Sequence, residues 1–110
     1  MNFIEYQMKA QQTATYPQEH LLQALSYLGL GLTGEAGEVA DKLKKWLRGD
    51  YPLDEAKKKE IAYELGDLLW YISEMARKIE YDLHTIAVMN TEKLSSRQKR
   101  GTLHGDGDNR

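Results

Sequence analysis

Apolar side chains recur along this chain with the spacing of helices. From Ile61 the positions Leu65, Leu68, Ile72, Met75 and Ile79 follow at intervals that alternate four and three, which lines one face of a bundle helix. Upstream, Leu21, Leu25, Leu28, Leu32, Val39, Leu43 and Trp46 mark a longer helical stretch from His20 to about Arg48. Its glycine-rich middle, Gly29 to Gly34, is where a kink or split is expected. A short helix over about Asn2 to Thr13 must end before Thr15-Tyr16-Pro17, because the residue before a proline is pushed out of the helical region. A last helix is expected from about Asp82 to Arg100, with Leu83, Ile86, Ala87 and Leu94 inward. Asp54 follows the Gly49-Asp50-Tyr51-Pro52 turn as an N-cap. The reading is an all-α bundle of four or five helices in one domain over residues 1–100. The Gly-rich, polar tail over 101–110 has no period of its own.

Composition narrows the classes. A chain of 110 residues suits one domain, and 41% hydrophobic with 29% charged residues is the balance of a soluble globular protein. A net charge of −2 argues against bulk electrostatic binding to nucleic acid. No apolar run approaches the roughly 20 residues of a membrane helix. Glu5 interrupts what would be the apolar part of a secretory signal. The chain has no cysteine, which removes disulfides, thiolate nucleophiles and Cys-based zinc sites. A cytoplasmic protein with neither a nucleic-acid nor a membrane partner is expected.

Four acids change the picture. Glu35-Ala-Gly-Glu38 lies on the second helix and Glu64-Leu-Gly-Asp67 on the third, each pair three residues apart and therefore on one face. The turn between these helices centres on Tyr51. In an antiparallel hairpin, facing residues have numbers summing to about 102, as do Glu38 with Glu64 and Glu35 with Asp67. Four converging carboxylates repel one another unless a cation sits among them, and carboxylate oxygen is the hard donor that Mg²⁺ or Mn²⁺ prefers. Gly37 and Gly66 beside the acids leave room for close approach of backbone or ligand. The competing reading is an exposed acidic face on each helix. Two acidic pairs in register favour the metal.

With these words in place the chain resembles the MazG-like nucleotide pyrophosphohydrolases, the all-α NTP pyrophosphatase superfamily. Their hallmark is ExxE followed, about two dozen residues later, by ExxD. Here it appears within Leu30-Gly-Leu-Thr-Gly-Glu-Ala-Gly-Glu-Val39 and Tyr63-Glu-Leu-Gly-Asp-Leu-Leu-Trp-Tyr-Ile72. The likeness extends to Glu5-Tyr6-Gln7, Tyr16-Pro17 and the C-terminal run from Asn90 through Lys93 and Arg97 to Arg110. The resemblance implies Mg²⁺-dependent hydrolysis of nucleoside triphosphates to monophosphate and pyrophosphate, with Mn²⁺ as a substitute, for control of a nucleotide pool. It also implies a homodimer or homotetramer with sites near subunit contacts. Some members carry a further Glu directly after the first acid, which is proposed as their general base. This chain has Ala36 there, so water activation falls to Glu35, Glu38 or the metals.

A triphosphate also needs cations and a place for its base. Lys42, four residues after Glu38, and Lys93 and Arg97 on the last helix are the candidate phosphate clamps. Asn90 and Arg97 share the register of Ile86, Ala87 and Leu94 and are expected to point inward. The alternative is that they pair with acids or cap a neighbouring helix. Tyr71, four residues after Asp67, is the first candidate to stack on the base; Trp46 and Trp70 are further candidates, for which core or subunit-contact packing is the commoner role. The tail is expected to fold over a nucleotide site, its own or a neighbouring subunit's, as a partial lid rather than fray. Gly29-Leu-Gly-Leu-Thr-Gly34 spells a dinucleotide fingerprint, but it lies in a helix and not after a strand. A di-iron bundle would want Glu-x-x-His pairs, which neither acidic motif supplies. A non-catalytic helical dimerisation or regulatory module is the rival of another class.

Overall fold

The computed structural model describes residues 1–110, and every regular element in it is a helix. They are α1 (Phe3–Gln11), α2 (Leu21–Leu47), α3 (Glu55–Lys78) and α4 (Leu83–Lys99). Three begin on side-chain caps. The carboxamide of Asn2 accepts from the Glu5 N–H at 2.8 Å, and Asp54 and Asp82 accept from the N–H groups of Lys57 and Thr85 at 2.9 and 2.7 Å. α2 runs unbroken through Gly29–Gly34, so the expected split does not occur. One glycine in that run has a packing reason. A Cβ on Gly31 would lie 2.1 Å from Cε1 of Tyr71, so only glycine lets that ring rest against α2.

α2 and α3 form the antiparallel hairpin, and α3 is the element on which everything else rests. α1 and α4 each pack on α3 and on one another, whereas α2 touches neither of them. The small core lies where the linker after α1 meets the hairpin: Tyr16, Ala24 and Leu28, surrounded by Ala14, Trp70, Tyr71 and Met75. This turns α3 away from the expected orientation. Leu65, Ile72 and Ile79 of its apolar stripe are exposed, while Ser73, Glu74 and Ala76 are buried. On α4, Leu83 and Arg97 are buried, but Leu94 and Asn90 face out. The physical reason is that α1 and its linker cover the Trp70–Glu74 side of α3, which leaves Leu65, Ile72 and Ile79 uncovered while Met75 of the same stripe still packs on the core.

Polar side chains fasten the ends. Gln7 of α1, almost fully buried, donates to the carbonyls of Ser73 (3.3 Å) and Tyr81 (3.1 Å) and accepts from the Leu83 N–H (3.1 Å). It thereby satisfies the turn between α3 and α4. Glu74, with no exposed surface, accepts from the Tyr16 hydroxyl at 2.8 Å and from Arg77 at 2.7 and 2.9 Å. Burial pushes its carboxyl up, but the hydrogen bonds from Arg77 and Tyr16 more than offset this and hold it below the ordinary carboxylate value. A group with a depressed folded pKa stabilises the fold above its unfolded pKa, and that contribution is lost as pH falls through the folded value. Wild-type melting temperature is therefore expected to drop in acid below the ordinary carboxylate range. Glu74→Gln should cost about 1–3 kcal/mol at neutral pH and flatten that part of the profile. Melting curves of both proteins between pH 7 and 3 check this, and parallel profiles would exclude Glu74 as the responsible group.

Candidate metal centre

The hairpin register brings the acids together. Glu35 of α2 and Glu64 and Asp67 of α3 each offer a carboxylate oxygen, and these oxygens lie within 4.8 Å of one another. The same register pairs Gly31 with Tyr71 and sets the Lys42 ammonium 3.8 Å from Glu60 and 4.0 Å from Glu64. The fourth acid, Glu38, stands exposed on α2 outside the cluster of three. Gly37 and Gly66 face open space, so neither serves the contact between the two helices.

The cluster is electrostatically expensive. Desolvation and the negative charges of Asp67 and Glu64 push the Glu35 carboxyl above its ordinary value. Lys42 is the cation that faces it from within the hairpin, and its distances are those of weak, partly screened ion pairs. Three hard oxygen donors on two rigid helices, with more negative charge than the protein neutralises, fit a divalent cation such as Mg²⁺.

Beside the acids lies an open pocket of about 380 Å³ lined by Thr13, Glu35, Asp67, Trp70 and Tyr71. Its wall is aromatic and ordered. The Trp70 indole N–H donates to the Thr13 hydroxyl at 2.8 Å and to the Ala10 carbonyl at 3.1 Å. Trp70 meets Tyr71 edge-on at 5.0 Å between ring centres, and Tyr16 sits behind Trp70 at 6.1 Å while stacking on Tyr27 at 5.2 Å. Burial, Tyr27 and the Glu35 charge raise the Tyr71 phenol above its usual value, and burial with the Asp67 charge does the same for Tyr6. Tyr71 therefore lies where the sequence places it. Thr13 joins the pocket from the end of α1, a position that no motif in the sequence marks, whereas Tyr6 borders a separate depression with Phe3, Leu69 and His84.

The α4 residues are elsewhere. None of Asn90, Lys93 and Arg97 lines this pocket. Asn90 and Lys93 border an apolar depression formed by Ile79, Tyr81, Ile86 and Met89. Arg97, buried to 4% exposure, donates to the Asp108 carbonyl at 2.8 Å, with the Asp108 carboxylate 3.5 Å away and 3.6 Å from Lys93. The Arg110 guanidinium donates to the carbonyls of Thr102, Leu103 and Gly107, and the Thr102 hydroxyl donates to the Arg110 carbonyl. The tail is thus folded onto α4 and not over its own chain's acids. A buried guanidinium needs acceptors, and the carbonyl eleven residues on is within reach.

Gly31→Ala should test how closely the wall is packed against α2. The added methyl must displace the Tyr71 ring, at a cost of about 1–3 kcal/mol in chemical denaturation, with a changed near-ultraviolet circular dichroism spectrum. A variant of wild-type stability and spectrum would show that the ring is not held there.

A family model described as "MazG nucleotide pyrophosphohydrolase domain" matches residues 23–102, a span that contains all four acids and α4. The chain is also 41% identical over 109 residues to the "Gene 37 protein" of Mycobacterium phage L5, covering 96% of each. No solved structure matches the chain. No helix is long and apolar enough to cross a membrane.

Proposed function

This chain belongs to the MazG nucleotide pyrophosphohydrolase domain family, and from that premise we propose that it hydrolyses nucleoside triphosphates to the monophosphate and pyrophosphate with Mg²⁺, Mn²⁺ substituting. The observation that carries the reading is the cluster of Glu35, Glu64 and Asp67 opening directly onto an aromatic-walled pocket. A nucleotide requires those two environments side by side, one for a polyanion and one for a flat base.

Glu35, Glu64 and Asp67 would hold the metal, and Glu38 completes the set of acids as a ligand or proton acceptor. Bound Mg²⁺ supplies charge neutralisation of the phosphate chain and acidification of water. Ala36 leaves no carboxylate directly after Glu35, so Glu38, exposed and one turn on, is the group free to take the proton of the attacking water. Tyr71 and Trp70 offer faces to the base, since the Trp70 N–H is already committed to Thr13 and Ala10. Lys42 steadies Glu64 and lies near enough to meet a phosphate oxygen once a cation has relieved the acids. Asn90, Lys93 and Arg97 serve the phosphate chain only through an assembly that brings an α4 to an acid cluster.

That assembly is a homodimer or homotetramer. Only ten residues are buried, and Leu22, Leu30 and Leu47 are each at least 77% exposed. The radius of gyration is 16.8 Å, against about 13 Å for a compact domain of this length. Such a chain has apolar faces left to cover. Light scattering during size exclusion at micromolar concentration should give a multiple of 12.7 kDa, and a monomeric mass would refute this part. The catalytic proposal is tested by incubating all canonical ribo- and deoxynucleoside triphosphates with Mg²⁺ and resolving pyrophosphate from orthophosphate. Release of pyrophosphate with monophosphate is expected. An oligomer that releases neither product would instead favour a helical dimerisation or regulatory module in the control of a nucleotide pool.

A further inference from the structure

We infer that the buried cluster of Tyr16, Glu74 and Arg77 is a positioning device for the base end of the site, holding the aromatic wall in place beside Glu35 and Asp67. The inference rests on the hydrolase reading above and assigns it residues that do not touch the acids. Glu74 has no exposed surface in a chain that buries only ten residues, and its carboxylate is shared between the Tyr16 hydroxyl (2.8 Å) and Arg77 (2.7 and 2.9 Å). Arg77 in turn donates to the Gln18 side chain at 3.0 Å, so the Tyr16-Pro17-Gln18 linker is tied to α3 at both ends.

A buried ion pair is often no better for stability than well-packed apolar residues, because both charges lose their hydration. What it does provide here is direction. The hydroxyl bond fixes where the Tyr16 ring lies, and that ring has two faces of consequence. One stacks on Tyr27, nearly parallel at 9°. Its other contact is Trp70, close to perpendicular at 82°, which in turn meets Tyr71 at 83°. Trp70 is also held by Thr13, which follows α1 and precedes the linker that carries Tyr16. A slack linker would therefore loosen both supports of Trp70 at once. The surface that moves would be the base wall, while the acids, set by the α2–α3 register, would stay.

The geometry makes a split prediction. Tyr16→Phe keeps the ring and removes the hydroxyl that Glu74 holds. The KM for a nucleoside triphosphate should rise about three- to tenfold, the range of a lost aromatic contact, with kcat within about twofold. Inhibition by inorganic tripolyphosphate, which has no base, should be unchanged. Glu74→Gln, a second variant that keeps the side-chain shape, should show the same split, and both should alter the near-ultraviolet signal of the Trp70 cluster. If KM is unchanged in both variants, or if tripolyphosphate inhibition weakens in parallel with KM, the cluster is ordinary scaffold and the inference is wrong. A wild-type protein that releases no pyrophosphate overturns the hydrolase reading and this inference together. An active wild type with unaffected variants overturns the inference alone.

Discussion

Asp67→Asn and Glu64→Gln proteins are expected to lose pyrophosphate release by about 10²–10³-fold while keeping their helical content, the scale seen when one preorganised electrostatic contact is removed from an active site. Each substitution preserves shape and deletes one negative charge from a cluster whose oxygens lie within 4.8 Å. The fold does not need that charge. Glu35 is held above its ordinary pKa by desolvation and by its acidic neighbours, which means its own ionised carboxylate opposes folding in the metal-free chain. A raised folded pKa gives stability that is fully present below the unfolded pKa and lost as pH rises through the folded one. Glu35→Gln should accordingly melt higher than wild type in metal-free buffer at neutral pH, even as it fails to turn over. An inactive variant that melts lower than wild type would point to a structural role. Wild-type turnover in both Asp67→Asn and Glu64→Gln would remove the metal assignment.

Chelation should have an effect of similar size and reveal the division of labour among the acids. With excess EDTA, hydrolysis is expected to fall to background and return with Mg²⁺ or Mn²⁺ but not with Ca²⁺, whose larger, looser coordination suits these chemistries poorly. Independently of activity, Mg²⁺ should raise the melting temperature, because a ligand that binds only the folded chain stabilises it by about 2.7 kcal/mol at one hundred times its Kd. That shift should vanish in the Asp67→Asn and Glu64→Gln proteins. Glu38 stands outside the cluster of three, so Glu38→Gln should keep most of the Mg²⁺ shift and still lose turnover as the proton acceptor. If Glu38→Gln loses the thermal shift as completely as the α3 variants, Glu38 is a metal ligand first and the proton must leave by another group.

The helices, the Asp54 cap and the facing of Glu35 with Asp67 were legible in the sequence. Helical periodicity is a local property, Asp54 caps by a contact three residues away, and the register of a tight antiparallel hairpin follows from where its turn lies. That register correctly placed Glu35 against Asp67, and it also describes Gly31 against Tyr71 and Lys42 against Glu60. Family membership was legible for the same reason, since the acids and their flanking words are contiguous.

Rotation and long-range partners were decided only by the tertiary structure. Periodicity shows that α3 has an apolar stripe but not what covers it. The stripe of Leu65, Ile72 and Ile79 faces outward because α1 and its linker claim the side with Trp70 and Glu74. Nothing in the spacing singles out Glu74; its buried place is set by Tyr16, 58 residues earlier, whose hydroxyl bonds it. Arg97 reads as a phosphate ligand from its spacing, and only the folded chain supplies the Asp108 carbonyl, eleven residues on, as its acceptor. Both outcomes depend on which groups meet across the fold once water is excluded, where a buried charge must find a partner wherever the chain supplies one. Spacing along the chain determines which residues share a helix face; packing between elements determines what that face meets.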